Sequence, residues 1–164
     1  MASFIAALRT LNEMKATGVV EDYAVAGAMA VAFWTEPLPT FDLDVLIFLP
    51  GEQQSPIITL EPIYRWASER GFLLQAEHVL IEGVPVQFLP AYNALADEAI
   101  ETAATLDYEG VPVRVVRPEY LVALYLEPGA RTLKRRERAA ALRESAAMDP
   151  ERLAKLLQRF NLEP

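Results

Sequence analysis

The chain has 164 residues, of which 52% are apolar, enough for one compact domain with a sizeable core and too few for two ordinary domains. It contains no cysteine and a single histidine, His78, which excludes disulfides, thiolate metal sites, histidine-based metal clusters and a Ser-His-Asp triad. The formal charge of -8 argues against general binding to a polyanion such as a nucleic-acid backbone.

The N-terminal residues lack the pattern of a secretory leader, and no stretch reaches the roughly 18 uncharged apolar residues that indicate a membrane span. We therefore expect a cytoplasmic protein with no membrane association.

The first elements predicted along the chain are a helix, a strand and a second helix. Residues 3–17 place apolar side chains at three- and four-residue steps behind a serine, as in a capped amphipathic helix. A short apolar run at 23–26 predicts a strand, which leads through Gly27 and Ala28 into a helix of small residues at 29–34.

The middle of the chain predicts a buried strand, a helix and then short strands in hairpins. Residues 41–49 are apolar, branched and aromatic except for two acids, which predicts the buried strand, and residues 57–70 predict a helix that ends at a glycine. The next predicted elements are extended runs at 72–81 and 84–89 joined by Glu82-Gly83, a helix at 91–103, and strands at 105–108 and 111–116 joined by Glu109-Gly110.

Three helices, at 118–126, 133–146 and 149–160, complete the prediction. This order predicts an α+β fold in which a mixed β-sheet is covered by helices. We expect a single domain over residues 1–164, with residues 117–164 as a helical C-terminal cap.

Asp42 and Asp44 are the two acids that interrupt the predicted buried strand. They are two residues apart, so both carboxylates emerge on the same face of the strand. Two like charges in so apolar a run need a cation or strong hydrogen-bond donors, and Mg²⁺ commonly combines one or two carboxylates with substrate phosphates. The alternative is structural, with one acid capping the preceding loop and the other facing solvent at a sheet edge.

Gly27 and Ala28 lie between a strand and a helix, where free backbone N–H groups can meet phosphate oxygens. The alternative role for Gly27 is close packing of the helix against the strand.

With Thr40, which precedes Asp42 in a Thr-x-Asp-hydrophobic-Asp motif, these residues resemble the signature of the nucleotidyltransferase fold of the DNA polymerase beta superfamily. The layout of almost the whole chain is similar to small bacterial relatives of the abortive-infection nucleotidyltransferase toxins, which implies a toxin–antitoxin-like setting.

The resemblance implies that Asp42 and Asp44 bind Mg²⁺ or Mn²⁺ carrying a nucleoside triphosphate, while Gly27 and its neighbours hold the phosphates. A nucleoside monophosphate would pass from the triphosphate to an unknown acceptor, which could be a protein, an RNA or a small molecule. A homo-oligomer is compatible with this interpretation.

Three positions depart from the family pattern. Relatives place a third carboxylate on a later strand, where this chain has Gln87, and a neutral amide cannot act as a base. The toxin-like relatives also carry an arginine and a lysine where this chain has Leu38 and Tyr125. Glu77 or Glu82 would have to replace the missing acid. The alternative function is therefore a catalytically impaired nucleotide- or partner-binding protein of the same fold.

Six basic residues and one acid occupy the segment from Arg131 to Arg143. The matching helix of the family brings basic residues towards the nucleotide, which implies triphosphate contacts for Arg131, Lys134 and Arg135. The alternative is a solvated helix face. We expect His78 on a strand surface or in the hairpin, with no catalytic part.

Overall fold

The computed structural model describes residues 3–36, 42–51, 59–130 and 132–164. Within these ranges the helices are α1 (Phe4–Ala16), α2 (Gly27–Trp34), α3 (Glu61–Glu69), α4 (Ala94–Glu101), α5 (Pro118–Tyr125), α6 (Leu133–Arg143) and α7 (Pro150–Arg159). The strands are β1 (Asp22–Ala26), β2 (Leu43–Phe48), β3 (Leu73–Gln75), β4 (His78–Ile81), β5 (Val84–Pro90), β6 (Ala104–Tyr108) and β7 (Val111–Val115).

The strands form one mixed sheet in the order β3-β4-β5-β2-β1-β7-β6. The pairs β2–β5 and β1–β7 are parallel, and the other neighbouring pairs are antiparallel. The two central strands bury side chains on both faces, because consecutive residues point to opposite faces and Ala24 and Val25 of β1 are both 0% exposed, while Val45 and Leu46 of β2 are 0% and 3% exposed. The predicted α+β class with a mixed, helix-covered sheet is confirmed.

None of the helices within the described ranges combines the length and the apolarity that a membrane crossing requires.

Four helices begin at a polar residue whose side chain accepts a backbone N–H of the first turn, namely Ser3, Asn93, Thr132 and Asp149. Helix α2 differs from these four. Its N-cap residue is Ala26, which has no side-chain oxygen, so α2 begins without a side-chain cap. Its first residue, Gly27, lies against the side chain of Asp44 of β2.

The predicted extended run 72–81 is wrong as a single strand. It is a hairpin of β3 and β4, because Ala76 adopts a left-handed conformation with φ +54° and turns the chain at Ala76-Glu77. No glycine, asparagine or proline signalled this turn in the sequence. Helix α3 is shorter than predicted, since Thr59 and Leu60 precede it, and residues 57 and 58 lie outside the described residues.

Helix α5 lies at the centre of the C-terminal helices and packs against α2, α4, α6 and α7. Its residue Glu119 is only 2% exposed, and Oε1 lies 3.6 Å from Nη1 of Arg152 on α7. The other oxygen, Oε2, has no hydrogen-bond partner among the described residues. Arg152 is therefore the cation that balances a buried carboxylate at the α5–α7 interface.

We predict that Arg152→Ala lowers the free energy of unfolding by about 1–2 kcal/mol, because it leaves a buried carboxylate without its cation. Lys155→Ala is the matched control on α7. It removes an exposed ion pair with Glu151 and should cost less than about 0.5 kcal/mol. Urea denaturation measures both, and equal effects of the two substitutions would contradict the assigned role of Arg152.

Candidate functional site

The turn from β1 into α2 directly contacts the side chain of Asp44. Ala26, the last residue of β1, is opposite Asp44 in the antiparallel β1–β2 pair, so Gly27 begins α2 beside this acid. Gly27 has φ +61°, and a Cβ placed on it would overlap Oδ2 of Asp44 and lie 3.0 Å from its Cβ and Cγ. Only glycine satisfies both the backbone conformation and the space. Ala28 follows in the first turn of α2.

Asp42 lies one residue before β2, rather than within a strand as predicted, and its side chain is 56% exposed. Asp44 is within β2 and half-buried. Burial raises the pKa of the Asp44 carboxyl, and the negative charge of Asp42 raises it further. The two acids are therefore close enough to repel each other, at the start of the uncapped helix α2.

Gln87 lies beside Asp44 on the neighbouring strand. The parallel pair β2–β5 has Leu43 opposite Val86 and Asp44 opposite Gln87. The residue at the position where the resemblance expects a third carboxylate is therefore a neutral amide next to Asp44. Glu77 lies in the exposed turn before β4 and Glu82 in the exposed turn after it, at the end of β4 away from His78.

His78 begins β4, and its Nε2 lies 3.9 Å from Oδ2 of Asp42. We predicted a strand surface for His78 but missed this contact. Part of the signal was present in the sequence, because the two-residue turn at Glu82-Gly83 sets the register of the β4–β5 hairpin, but the pairing of β5 with β2 had no local signal. That register pairs Val79 with Val86, and one further step brings His78 to Gln87.

The cations that act on Asp44 come from α6. Arg138 and Arg135, together with His78, lower the pKa of the Asp44 carboxyl and so oppose the effect of burial. Lys134 is exposed near the start of α6, whereas Arg131 and Thr40 lie outside the described residues. We had not selected Arg138, although the helical spacing of 134, 135 and 138 places it on the same face of α6 as Lys134 and Arg135.

The donor set suits a hard divalent ion that also binds substrate phosphates. Within the described ranges, no three or more His, Cys, Asp and Glu side chains are grouped so that they could hold a metal ion by themselves. Two carboxylates are enough for Mg²⁺, which usually keeps water molecules and binds phosphate oxygens as well. Burial and the negative charge of Asp42 raise the pKa of Asp44 and so disfavour its ionised form. A bound cation would favour the ionised form.

Solved structures with the same fold support this interpretation of the architecture. The chain is similar to an antigenic nucleotidyltransferase-like protein from Paracoccidioides brasiliensis, with a TM-score of 0.58 and 16% identity over 96% of this chain and 90% of that one. It is also similar to ANT(2")-Ia in complex with adenylyl-2"-tobramycin, with a TM-score of 0.56 and 16% identity over 96% of both chains. The solution structure of the antibiotic-resistance factor ANT(2'')-Ia gives a TM-score of 0.56 and 17% identity over 98% of this chain and 93% of that one.

No family model matches the chain, and no curated protein matches its sequence. The structural likeness shows that the chain has the nucleotidyltransferase fold, as the sequence motif implied. The resemblance to the abortive-infection toxins stays a prediction.

We predict that Gly27→Ala destabilises the protein more than Gly110→Ala. Both glycines have positive φ, +61° and +89°, but a Cβ at Gly110 meets nothing within 4 Å. The strained backbone alone costs about 1–2 kcal/mol, and the overlap with Asp44 adds about 1–3 kcal/mol. Urea denaturation of the two variants measures the difference, and equal losses of stability would show that Asp44 does not lie against Gly27.

We predict that Asp44→Asn raises the free energy of unfolding at pH 7 when no divalent ion is present. The folded pKa of Asp44 lies above the unfolded value of about 3.9, so the folded state binds the proton more tightly. The contribution of this carboxyl to stability is complete below the unfolded pKa and is lost as the pH rises through the folded pKa. The difference in the free energy of unfolding between the variant and the wild type should therefore increase from pH 4 to pH 7, as measured by urea denaturation with a chelator. The exposed Asp107→Asn is the control, and a gap that stays constant with pH contradicts the prediction.

Proposed function

We propose that this protein is a metal-dependent nucleotidyltransferase that moves a nucleoside monophosphate from a nucleoside triphosphate to an acceptor. The observation that carries the proposal is the position of the Asp44 carboxylate, which lies against Gly27 at the N-terminus of α2, with Asp42 close by. This arrangement combines two oxygen ligands for a cation with uncapped backbone N–H groups for an anion.

Asp42 and Asp44 would hold Mg²⁺ or Mn²⁺, which supplies positive charge that neutralises the triphosphate and the charge that develops during transfer. The N–H groups at Gly27 and Ala28 would donate to phosphate oxygens, because α2 has no competing side-chain cap. The missing side chain at Gly27 lets the phosphates approach the backbone closely.

Thr40, Arg131 and Lys134 belong to the proposal through the motif and the helix pattern alone. Thr40 would support the loop before Asp42, and Arg131 and Lys134 would extend the basic face of α6 towards the triphosphate. Arg135 and Arg138 are the residues of this face whose charge reaches Asp44.

In the transfer, an acceptor oxygen would attack the α-phosphorus, and pyrophosphate would leave with the electrons of the broken α–β bond. The acceptor also has to lose a proton, and Gln87 beside Asp44 cannot take it. The imidazole of His78 lies beside Asp42, and a ring nitrogen of a neutral imidazole can accept a proton.

The acceptor classes are a protein, an RNA or a small molecule. The neighbour ANT(2")-Ia, whose structure contains adenylyl-2"-tobramycin, is consistent with a small-molecule acceptor on this fold. The net charge of -8 disfavours a long nucleic acid as the acceptor, because phosphate binding depends on Lys and Arg. We place the activity in a bacterial cytoplasm, in a toxin–antitoxin-like setting, on the sequence resemblance alone.

A second candidate function is nucleotide or partner binding without transfer. The specific observation in its favour is Gln87, which is aligned with Asp44 at the position where a third carboxylate is expected. The features that would bind the metal and the phosphates do not depend on this residue, so binding can persist when transfer is lost.

We predict that ATP, GTP, CTP or UTP with Mg²⁺ or Mn²⁺ raises the melting temperature, since a ligand that binds only the folded state stabilises it. Asp44→Asn should abolish the rise, and the exposed Asp107→Asn should keep it. Each shift is measured against the melting temperature of the same variant without ligand, because Asp44→Asn changes the stability of the free protein.

Release of pyrophosphate during incubation with the stabilising nucleotide separates the two candidate functions. Pyrophosphate release that Asp44→Asn abolishes supports the transferase, whereas stabilisation without release supports the binding protein. If no nucleotide stabilises the wild type with either metal, the transferase and the nucleotide-binding protein are both wrong, and only binding of a partner is left.

A further inference from the structure

Tyr125, the last residue of α5, has a buried hydroxyl group that the described protein residues leave unsatisfied. The side chain is only 9% exposed, and its Oη has no hydrogen-bond partner among the described residues. Buried hydroxyl groups are nearly always hydrogen-bonded, and leaving one unpaired costs about 1–3 kcal/mol. Such a group has room for a further hydrogen-bond partner, which a bound ligand can supply.

The surroundings of this hydroxyl identify the chemistry of that partner. Burial raises the pKa of the Tyr125 hydroxyl and so keeps it protonated, and the Asp44 carboxylate adds to the rise, whereas the charge and close approach of the Arg138 guanidinium and the charge of Arg135 oppose it. Asp44 and the two arginines of α6 therefore all act on this hydroxyl. Helix α5 also packs against α2, whose uncapped N-terminus lies beside Asp44.

A protonated hydroxyl beside an arginine is a binding site for an anion. Arg138 has only donors to give, and a neutral tyrosine hydroxyl donates one more hydrogen bond. A metal ion would be repelled by Arg138, whereas a phosphate group can accept from both side chains, in the fork geometry that guanidinium groups prefer.

We propose that Tyr125 and Arg138 form a phosphate-binding subsite that holds the triphosphate of the nucleotide next to Asp42 and Asp44. The hydroxyl of Tyr125 donates to one phosphate oxygen, and the Arg138 guanidinium donates to another. The subsite deepens the proposed function and rests on it.

This subsite changes the meaning of one departure from the family pattern. Tyr125 replaces a lysine of the toxin-like relatives, which removes a positive charge from α5. In this chain the positive charge is that of Arg138 on α6, next to the buried Ala139. The hydroxyl of Tyr125 keeps a hydrogen-bond donor on α5. The replacement is therefore a redistribution of donors and charge between two neighbouring helices, rather than the loss of a phosphate contact.

Tyr125→Phe tests the proposal, because it removes only the hydroxyl. The free protein should keep or increase its free energy of unfolding, since no described residue makes a hydrogen bond of normal length with the hydroxyl. The affinity for Mg²⁺-ATP and for Mg²⁺-tripolyphosphate, measured by calorimetry, should fall about tenfold, as expected for one hydrogen bond to a charged group. Arg138→Gln should weaken both ligands by at least as much.

Tyr108→Phe on β6 is the matched control, since this partly buried tyrosine lies on the strand at the far edge of the sheet. It should change neither affinity. Tripolyphosphate has no base or sugar, so a loss of its affinity places the effect at the phosphates.

Two results would overturn the inference. One is unchanged affinity of Tyr125→Phe and Arg138→Gln for both ligands that the wild type binds. The other is a loss of stability in free Tyr125→Phe, which would show that the hydroxyl has a partner within the protein. A wild type that binds neither ligand contradicts the proposed function itself, and Asp44→Asn, which should lose the Mg²⁺-dependent binding, separates that failure from an error at Tyr125.

Discussion

The site depends on one close contact, in which the Asp44 carboxylate lies against the bare Cα of Gly27. Three properties of the chain have to agree for this contact to form. The antiparallel register of β1 and β2 brings Ala26 opposite Asp44, a positive φ at Gly27 turns the chain directly into α2, and the absence of a side chain leaves room for the carboxylate. The same turn leaves α2 with Ala26 as its N-cap, so the Asp44 carboxylate lies next to the uncapped N–H groups. A helix start that favours anions therefore lies beside an acid that favours cations, which is the requirement for binding a metal–phosphate complex.

The acids are balanced by side chains from elements that follow them in the chain. Burial and Asp42 raise the pKa of Asp44, whereas His78 from β4 and Arg138 and Arg135 from α6 lower it. The C-terminal helices thus have a part in the site besides covering the core. Helix α5 holds them in place, since it packs against both α6 and α7 and buries Glu119 against Arg152 of α7. In a protein with a net charge of -8, the cations of α6 create a local surface for anions that the overall charge does not reveal.

The sequence predicted the parts of the structure that depend on local patterns. The apolar periods predicted the helices and most strands, and the positions of Gly27, Asp42 and Asp44 predicted residues that the fold brings close together, because a two-residue spacing and a glycine before a helix have few structural solutions. The hairpin at Ala76 was missed because an alanine in a left-handed conformation has no sequence signal. The contact between His78 and Asp42 depends on the pairing of β4 with β5 and of β5 with β2, and the order of strands in a sheet is not encoded locally. Tyr125 was interpreted as a loss, since its burial and its neighbour Arg138 become visible only when α5 and α6 are packed.

The neutral side chain of Gln87 affects what the site needs for transfer but not what it needs for binding. Binding of a metal–triphosphate complex needs the acid pair, the start of α2 and donors from α5 and α6, and each of these has a side chain or backbone group in place. Transfer needs in addition a group that takes a proton from the acceptor, and the register assigns a neutral amide to the place beside Asp44. A third carboxylate there would also raise the pKa of Asp44 further, because it would add a like charge to a carboxyl that is already destabilised by burial. Compared with a carboxylate at this position, Gln87 therefore lacks a base and also adds no negative charge that would repel Asp44. Any proton acceptor then has to come from another element, and His78 of β4, whose Nε2 lies 3.9 Å from Oδ2 of Asp42, is such a side chain beside the acid pair.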